Sequence, residues 1–291
     1  MLEDKRIGLV QMEARVGETR SNLNTIIRCA EKASQQGIEL LCFPESALHG
    51  YSPADSSEIG DSLDSPRLKE LKECARDYNL ILLVGMVEQI GKGQNPYLSH
   101  LVLFPDQEKA VYRKVHLGRS EQNYFTPGSQ FPVFKGKGVC FAVGICWDWH
   151  FPEMATIYSL KGAELLFAPH ASPVVAGDRK EIWKRYLGTR AYDNSTYLGA
   201  CNLIGPNNRG KVFSGGALAF GPKGEILAES FHTPEDDYSE EILIADLSAP
   251  KINALRSAER VSMKQTFFLA DRRKELYGEL LELEIPKAPK E

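Results

Sequence analysis

Two nine-residue stretches constrain this chain more than any other feature. Residues 37–45 read GIELLCFPE and residues 162–170 read GAELLFAPH. Each follows a segment of helical period, and each ends on an ionisable side chain after a proline. A continuous apolar run bounded in this way reads as a strand covered on both faces, the type found in parallel sheets with helices packed against them. The chain thus contains at least two similar helix–strand units. Open α/β sheets place their sites at the carboxyl ends of strands, so Glu45 and His170 both arrive where chemistry can sit.

The remaining sequence alternates in the same manner. Residues 6–11 (RIGLVQ) form a short apolar strand. Residues 19–36 carry apolar side chains at 23, 26, 27, 30 and 33, a helical spacing that Gly37 ends. A second helix is expected over 64–79 and a buried strand over 80–87. Strands follow at 98–104, 109–116 and 139–145. Residues 152–161 read as a helix with Pro152 in its favoured first turn. Residues 163–168 form a strand, 179–194 a helix, and 197–204, 217–220, 225–230 and 242–246 the last strands, before a helix over 248–260. Asp178 and Arg179 read as a helix start rather than a ligand clamp. No linker rich in Pro, Gly or Ser divides the chain. Residues 1–270 therefore read as one mixed α/β domain, and the charged residues 271–291 as a C-terminal arm or tail.

Composition narrows the partners. Lys plus Arg is 35 and Asp plus Glu is 39 among 291 residues, a net charge of −4. That balance argues against nucleic acid as the main partner. The longest apolar stretch, residues 80–87, falls far short of the roughly 20 residues a membrane helix needs. The N-terminal residues lack a basic stretch followed by an apolar one, so no secretory signal is read. Six cysteines are scattered without a C-x-x-C pair. Free thiols in a reducing, cytoplasmic compartment fit better than a disulfide frame.

Three strand ends carry reactive groups. Cys146 lies in VCFAVGICWDWHFPE, where an apolar strand gives way to a helix pattern, the setting of a nucleophile elbow. A helix N-terminus aimed at the sulfur favours thiolate. Glu45 follows LLCFP, and a carboxylate drawn out of water becomes a base near neutrality. Lys114, in AVYRKVHL, can bind an oxyanion. The separations, 69 and 32 residues, exclude local pairing. Only a fold that gathers strand ends can join the three.

With LLCFPE, YRKVHL followed by EQNYFTPG, and GICWDWHFPE followed by KGAELL in order, the chain resembles the nitrilase superfamily of carbon–nitrogen hydrolases. NLIG, SGGALAFGPKGEIL and DRRKELYG extend the similarity from Ile7 to about Gly278. The resemblance implies a four-layer α-β-β-α sandwich. It matches Cys146 to the nucleophile, Glu45 to the general base and Lys114 to the oxyanion-stabilising residue. Glu121 matches a second carboxylate that orients Lys114 or assists proton transfer, and the Trp147 backbone N–H a second oxyanion donor. The implied reaction is hydrolysis of an amide or N-carbamoyl group of a small molecule through a thioester, with no metal or organic cofactor. A homodimer or larger assembly is also implied, with residues such as SMKQTFFLADRRKELYG lying across a neighbour.

The cysteine block CWDWHFPE, and Trp183 in EIWKR, look most like the N-carbamoylputrescine amidase branch. The segment between Lys114 and Phe125 is shorter than in that branch. Tyr51, Phe125, Trp147 and His170 are candidate substrate contacts, while Asp148 and Glu153 are placed to orient the elbow. Other readings stay open: a nitrilase or acyl-transferring member, a Cys–His hydrolase using His116, His150 or His170, a metal site at Cys146, Asp148 and His150, and an inactive binding scaffold.

Overall fold

The computed structural model describes residues 1, 3–231, 238–257 and 267–284. Among them stand two six-stranded sheets and one two-stranded ribbon. The first sheet contains β1 (Lys5–Gln11), β2 (Leu40–Cys42), β3 (Ile81–Glu88), β4 (Tyr97–Leu103), β5 (Lys109–Arg113) and β14 (Glu241–Leu247), in the order β14-β1-β2-β3-β4-β5. The second contains β6 (Phe134–Gly136), β7 (Val139–Val143), β8 (Leu165–His170), β9 (Tyr197–Asn202), β12 (Ala217–Phe220) and β13 (Ile226–Ser230), in the order β13-β12-β9-β8-β7-β6. β10 (Ile204–Pro206) and β11 (Val212–Ser214) form the ribbon.

Each large sheet has three parallel strands at its centre and antiparallel strands at its edges. β1, β2 and β3 run parallel in the first, and β7, β8 and β9 in the second. Parallel neighbours need a crossover. Here α1 (Thr19–Gln35) and α3 (Pro66–Asp77) supply it on one side, α4 (Pro152–Leu160) and α5 (Arg179–Asn194) on the other. The two similar nine-residue stretches contain β2 and β8, the middle strands of the two triplets.

Alternation along these strands builds the layers. Leu40 and Cys42 of β2 face a core shared with Leu165 and Phe167 of β8. Leu41 and Phe43 point the other way, into a core with Leu23 and Ile26 of α1 and Leu71 of α3. Leu166 and Ala168 of β8 meet Tyr158 of α4 and Trp183 and Leu187 of α5. The order is helix, sheet, sheet, helix, the four-layer sandwich that the resemblance implied. Burying one such Leu or Phe contributes about 1.5–3 kcal/mol, which explains why these strands read as unbroken apolar runs. At the sheet–sheet contact, a Cβ on Gly199 of β9 would lie 2.8 Å from Leu9 Cδ2, so the glycine sets how closely β1 and β9 approach.

Several boundaries differ from the sequence expectation. Of the apolar run within residues 37–45, only Leu40–Cys42 is strand. Phe43 still donates to Leu83 O at 2.8 Å, but Pro44 has no N–H to continue the ladder. The strand expected over 109–116 ends at Arg113, and the one expected over 163–168 extends to His170. The apolar stretch 197–204 divides between β9 and the ribbon. Several short pieces were not anticipated, among them α2 (Ser56–Ile59), the 3-10 turns Cys146–His150 and Val174–Ala176, and the strands β6 and β11. The last expected helix spans α6 (Ala249–Arg256). Residues 258–260, 262–266 of the expected arm and 285–291 of the tail lie outside the described residues. No helix among the described residues is long and apolar enough to cross a membrane.

Candidate active site

The carboxyl ends of β2, β5, β7 and β8 converge, and each delivers one functional group. Glu45 follows β2 in a tight turn whose next residue, Ser46, has a positive φ of 56°. That turn packs against β3 at Gly85, where a Cβ would lie 2.3 Å from Pro44 O. Any side chain at 85 would displace the turn that carries Glu45. Lys114 is the first residue beyond β5. Its N–H donates to Leu98 O at 2.8 Å and its carbonyl accepts from Gly128 N–H at 2.7 Å, so its backbone is held on both sides.

The side chains meet in one buried chain of charges. Lys114 Nζ donates to Glu45 Oε1 and to Glu121 Oε1, each at 2.8 Å. Glu45 Oε2 accepts from Ala171 N–H at 2.9 Å, which ties the first sheet to the end of β8 in the second. Glu121 also accepts from the Tyr51 hydroxyl at 2.6 Å and from Gly118 N–H at 2.7 Å. Glu45, Lys114 and Glu121 are 1%, 1% and 3% exposed. An unpaired charge at such depth would be strongly destabilising, so the three stand or fall together.

The two carboxylates are driven apart. Burial, reinforced by the Glu121 charge, pushes Glu45 up to about 7 despite Lys114 and the Ala171 N–H. Burial also opposes ionisation of Glu121, but Lys114, Tyr51 and Gly118 outweigh it and hold Glu121 below its ordinary value. For Lys114, burial disfavours the charge, yet Glu45 and Glu121 overcome it and keep the ammonium protonated. The site thus pairs a fixed Lys114–Glu121 ion pair with a carboxylate that titrates near neutrality. Two carboxylates set apart by their surroundings are the signature of divided acid–base duties.

Cys146 lies at a strand-to-helix elbow, with a positive φ of 47°. This left-handed conformation is strained for a residue with a Cβ. Its Sγ lies 3.7 Å from Ser172 Oγ. Ser172 is in turn gripped by Asn202, which accepts from Ser172 N–H at 2.8 Å and donates to Ser172 O at 3.1 Å. Burial, then the charges of Glu45 and Glu121, push the thiol up to about 12, against the pull of Lys114. This surrounding favours the neutral thiol over the thiolate, so attack by the sulfur calls for a base.

Asp148 holds the elbow in place, as expected. It is fully buried. Oδ2 accepts from Ile145 N–H at 2.8 Å and from the Tyr112 hydroxyl at 2.7 Å. Oδ1 accepts from His116 N–H at 2.8 Å and lies 2.9 Å from His116 Nδ1. One carboxylate thereby clamps the segment carrying Lys114 to the turn carrying Cys146. Both its oxygens are committed to these donors, which does not suit a metal site with Cys146 and His150. Glu153 is exposed and is not part of this clamp.

The expected substrate contacts separate. Trp147 is 40% exposed beside Cys146, its ring 4.8 Å from that of His150. Tyr51 is buried and spends its hydroxyl on Glu121. Phe125 is 2% exposed and belongs to the helix-side core of the first sheet. His170 corrects the expectation that it opens onto the cleft. It is 1% exposed, with Nδ1 2.7 Å from Ala168 O and Nε2 3.1 Å from the Tyr186 hydroxyl. Burial and the nearby Arg179 charge hold its pKa well below the ordinary value, so it is neutral. Among the described residues the Cys146 sulfur contacts the Ser172 hydroxyl and not the ring of His116, His150 or His170, which disfavours a Cys–His pair. Tyr186, which stacks on His150 at 4.8 Å, and the Ser172–Asn202 pair were not singled out from the sequence.

Known proteins fit this geometry. The carbon-nitrogen hydrolase family matches residues 6–257. An (R)-stereoselective amidase of Pseudomonas sp is 28% identical over 95% of this chain and 94% of its own length. An N-carbamoylputrescine amidase of Solanum tuberosum is 30% identical over 92% of each. An amidase from Nesterenkonia sp. AN1, solved as a glutamate-to-glutamine variant with acrylamide added at its active-site cysteine, is 29% identical. It covers 95% of this chain and 99% of that one, with a TM-score of 0.80. With a family match across both sheets and similar amidases along nearly the whole length, the chain belongs to the carbon–nitrogen hydrolase family.

Proposed function

We propose that this enzyme hydrolyses the C–N bond of an amide or N-carbamoyl group in a small molecule, with Cys146 as nucleophile, Glu45 as general base and Lys114 as oxyanion donor. The observation that carries the reading is the buried chain Glu45–Lys114–Glu121 near Cys146, which sits in a strained elbow. Ionised Glu45 takes the thiol proton as the sulfur attacks the carbonyl carbon. Lys114 has three N–H donors, of which Glu45 and Glu121 occupy two, so one remains for the oxyanion. The Trp147 N–H, in the first turn after the elbow, is the second donor. Protonated Glu45 returns its proton to the leaving nitrogen, releasing ammonia or an amine and leaving a thioester on Cys146. Water then attacks the thioester with Glu45 again as base, and the thiol is restored. Glu121 keeps Lys114 charged and aimed, and Tyr51 positions Glu121.

Residues 1–270 act as the catalytic unit. The C-terminal segment serves contacts between copies in a homodimer or larger assembly. Leu276, Leu280 and Leu281 support this, being 58%, 60% and 92% exposed. Six unbridged cysteines support a reducing, cytoplasmic setting. The test is ammonia release from N-carbamoyl amines, N-carbamoyl amino acids, ω-amides, short aliphatic amides and a nitrile, with Cys146→Ala as control. Cys146-dependent release from an amide or carbamoyl class supports the reading. Release from the nitrile alone, or silence throughout, contradicts it.

A further inference from the structure

Among the described residues, a buried cation beside the site has no anion. Arg179 is 8% exposed, and its Nε and Nη2 find no hydrogen-bond partner. The carboxylates near the start of α5 are already committed. Asp178 caps the helix through Glu181 N–H at 3.1 Å. Glu181 faces Lys184 at 3.9 Å, and Glu229 meets Lys180 at 2.7 Å and Lys184 at 3.5 Å. Leaving a guanidinium unpaired at this depth is unfavourable, and proteins keep such features where a ligand completes them.

Its position joins it to the reacting centre. Arg179, Trp183 and Tyr186 are spaced i, i+4 and i+7 along α5 and share one face. That face abuts the end of β8 and the Cys146 turn. The Trp183 ring lies 4.6 Å from His170, the Tyr186 hydroxyl meets His170, and Tyr186 stacks on His150 at 4.8 Å. Trp183 Nε1 is a second buried donor without a hydrogen-bond partner; it comes near the Tyr186 hydroxyl but lacks hydrogen-bond geometry. Arg190 adds positive charge on the same side, with Nε donating to Trp149 O at 3.3 Å. The electrostatics agree with this placement. Burial raises the Tyr186 hydroxyl and the Cys146 sulfur adds to the effect, while Arg179 and Arg190 oppose it. The region is rich in donors and positive charge and short of acceptors.

We infer that Arg179, with Trp183 Nε1 beside it, receives a substrate carboxylate, so that the enzyme acts on short amides or N-carbamoyl compounds bearing a free acid. This rests on the reading of Cys146 as nucleophile. A planar guanidinium matches a carboxylate with two parallel hydrogen bonds. The same charges repel an amine-terminated substrate such as a carbamoyl polyamine.

The test compares N-carbamoyl-β-alanine, its methyl ester and N-carbamoylputrescine by ammonia release. The acid should exceed the ester in kcat/KM by about a hundredfold or more, because a site built for a polar group rejects the analogue lacking it. Arg179→Met should collapse that ratio to within about threefold of one, chiefly through KM, and Arg179→Lys should recover part of it. Calorimetry on Cys146→Ala reads binding without turnover and should give a tighter Kd for the acid than for the ester. A wild-type ratio near one, a preference for the putrescine compound, or an equal loss on acid and ester in Arg179→Met overturns the proposal. If all three compounds fail and the wider panel is hydrolysed only at amides that lack a free acid, the carboxylate assignment alone is wrong. Silence across the whole panel removes the catalytic reading beneath it as well.

Discussion

Asp148→Asn exchanges one oxygen for an NH2 and keeps the shape of the side chain. Asp148 is fully buried, and each of its oxygens accepts from a backbone N–H, of Ile145 on one side and His116 on the other. Whichever way the new amide turns, its NH2 faces an N–H that cannot accept. One hydrogen bond to a charged group is lost, about 1.5–3 kcal/mol, and one buried donor is left unsatisfied, about 1–3 kcal/mol more. The sum, roughly 2.5–6 kcal/mol, is a large share of the about 5–15 kcal/mol that holds a typical domain. At about 2 °C per kcal/mol for a chain of this size, Tm falls by roughly 5–12 °C. Activity suffers separately, because Ile145 precedes Cys146 and His116 lies two residues beyond Lys114. Displacing reacting groups by about 1 Å can cost about a hundredfold. Calorimetry gives Tm, and ammonia release at 25 °C, well below the melt, gives kcat. A variant that melts within about 2 °C of wild type and keeps kcat within about threefold would refute the claim that this carboxylate holds the two segments together.

The pH profile carries a definite sign. Glu45 stands at about 7 and accepts the thiol proton only when ionised, so kcat/KM should rise with pH through about 7. A limb at the ordinary carboxylate value, about 4.3, contradicts the assignment. Lys114→Ala leaves Glu45 and Glu121 buried without their cation and should lower stability by about 3–5 kcal/mol while abolishing turnover; denaturant melts and ammonia release check both. Tyr51→Phe deletes the 2.6 Å hydrogen bond to Glu121 and should cost about 1–2 kcal/mol in stability. Its effect on kcat should be smaller than that of Lys114→Ala, and equal losses would show that Tyr51 does more than position Glu121.

The candidate site residues were legible because each follows a strand pattern. For Glu45 and Cys146 that pattern is an unbroken apolar run, the mark of a strand buried on both faces, whereas Lys114 follows the partly exposed edge strand β5; strand ends are where open sheets gather groups. The likeness of the two nine-residue stretches also pointed correctly to β2 and β8 as equivalent strands. It misled at the last position. β2 stops at Cys42, and Glu45 swings out in the turn containing Ser46, whereas β8 stays paired through His170, opposite Asn202. The same letter spacing therefore sends one side chain to the reacting centre and the other into α5. Asp148 reads as polar from its neighbours, but its partners Tyr112 and His116 lie 36 and 32 residues away, beyond any local pattern. Arg179 looked like a helix start because it is one. Only the packing of α5 reveals that its head is buried and, among the described residues, without an anion.

The most direct test places Cys146→Ala and Glu45→Gln beside the wild type, on whichever amide or carbamoyl substrate it hydrolyses best, with melting curves to confirm the fold. The account predicts that both variants stay folded and that each releases ammonia at no more than about one thousandth of the wild-type rate. A folded Cys146→Ala or Glu45→Gln protein that keeps a tenth or more of that rate would contradict it.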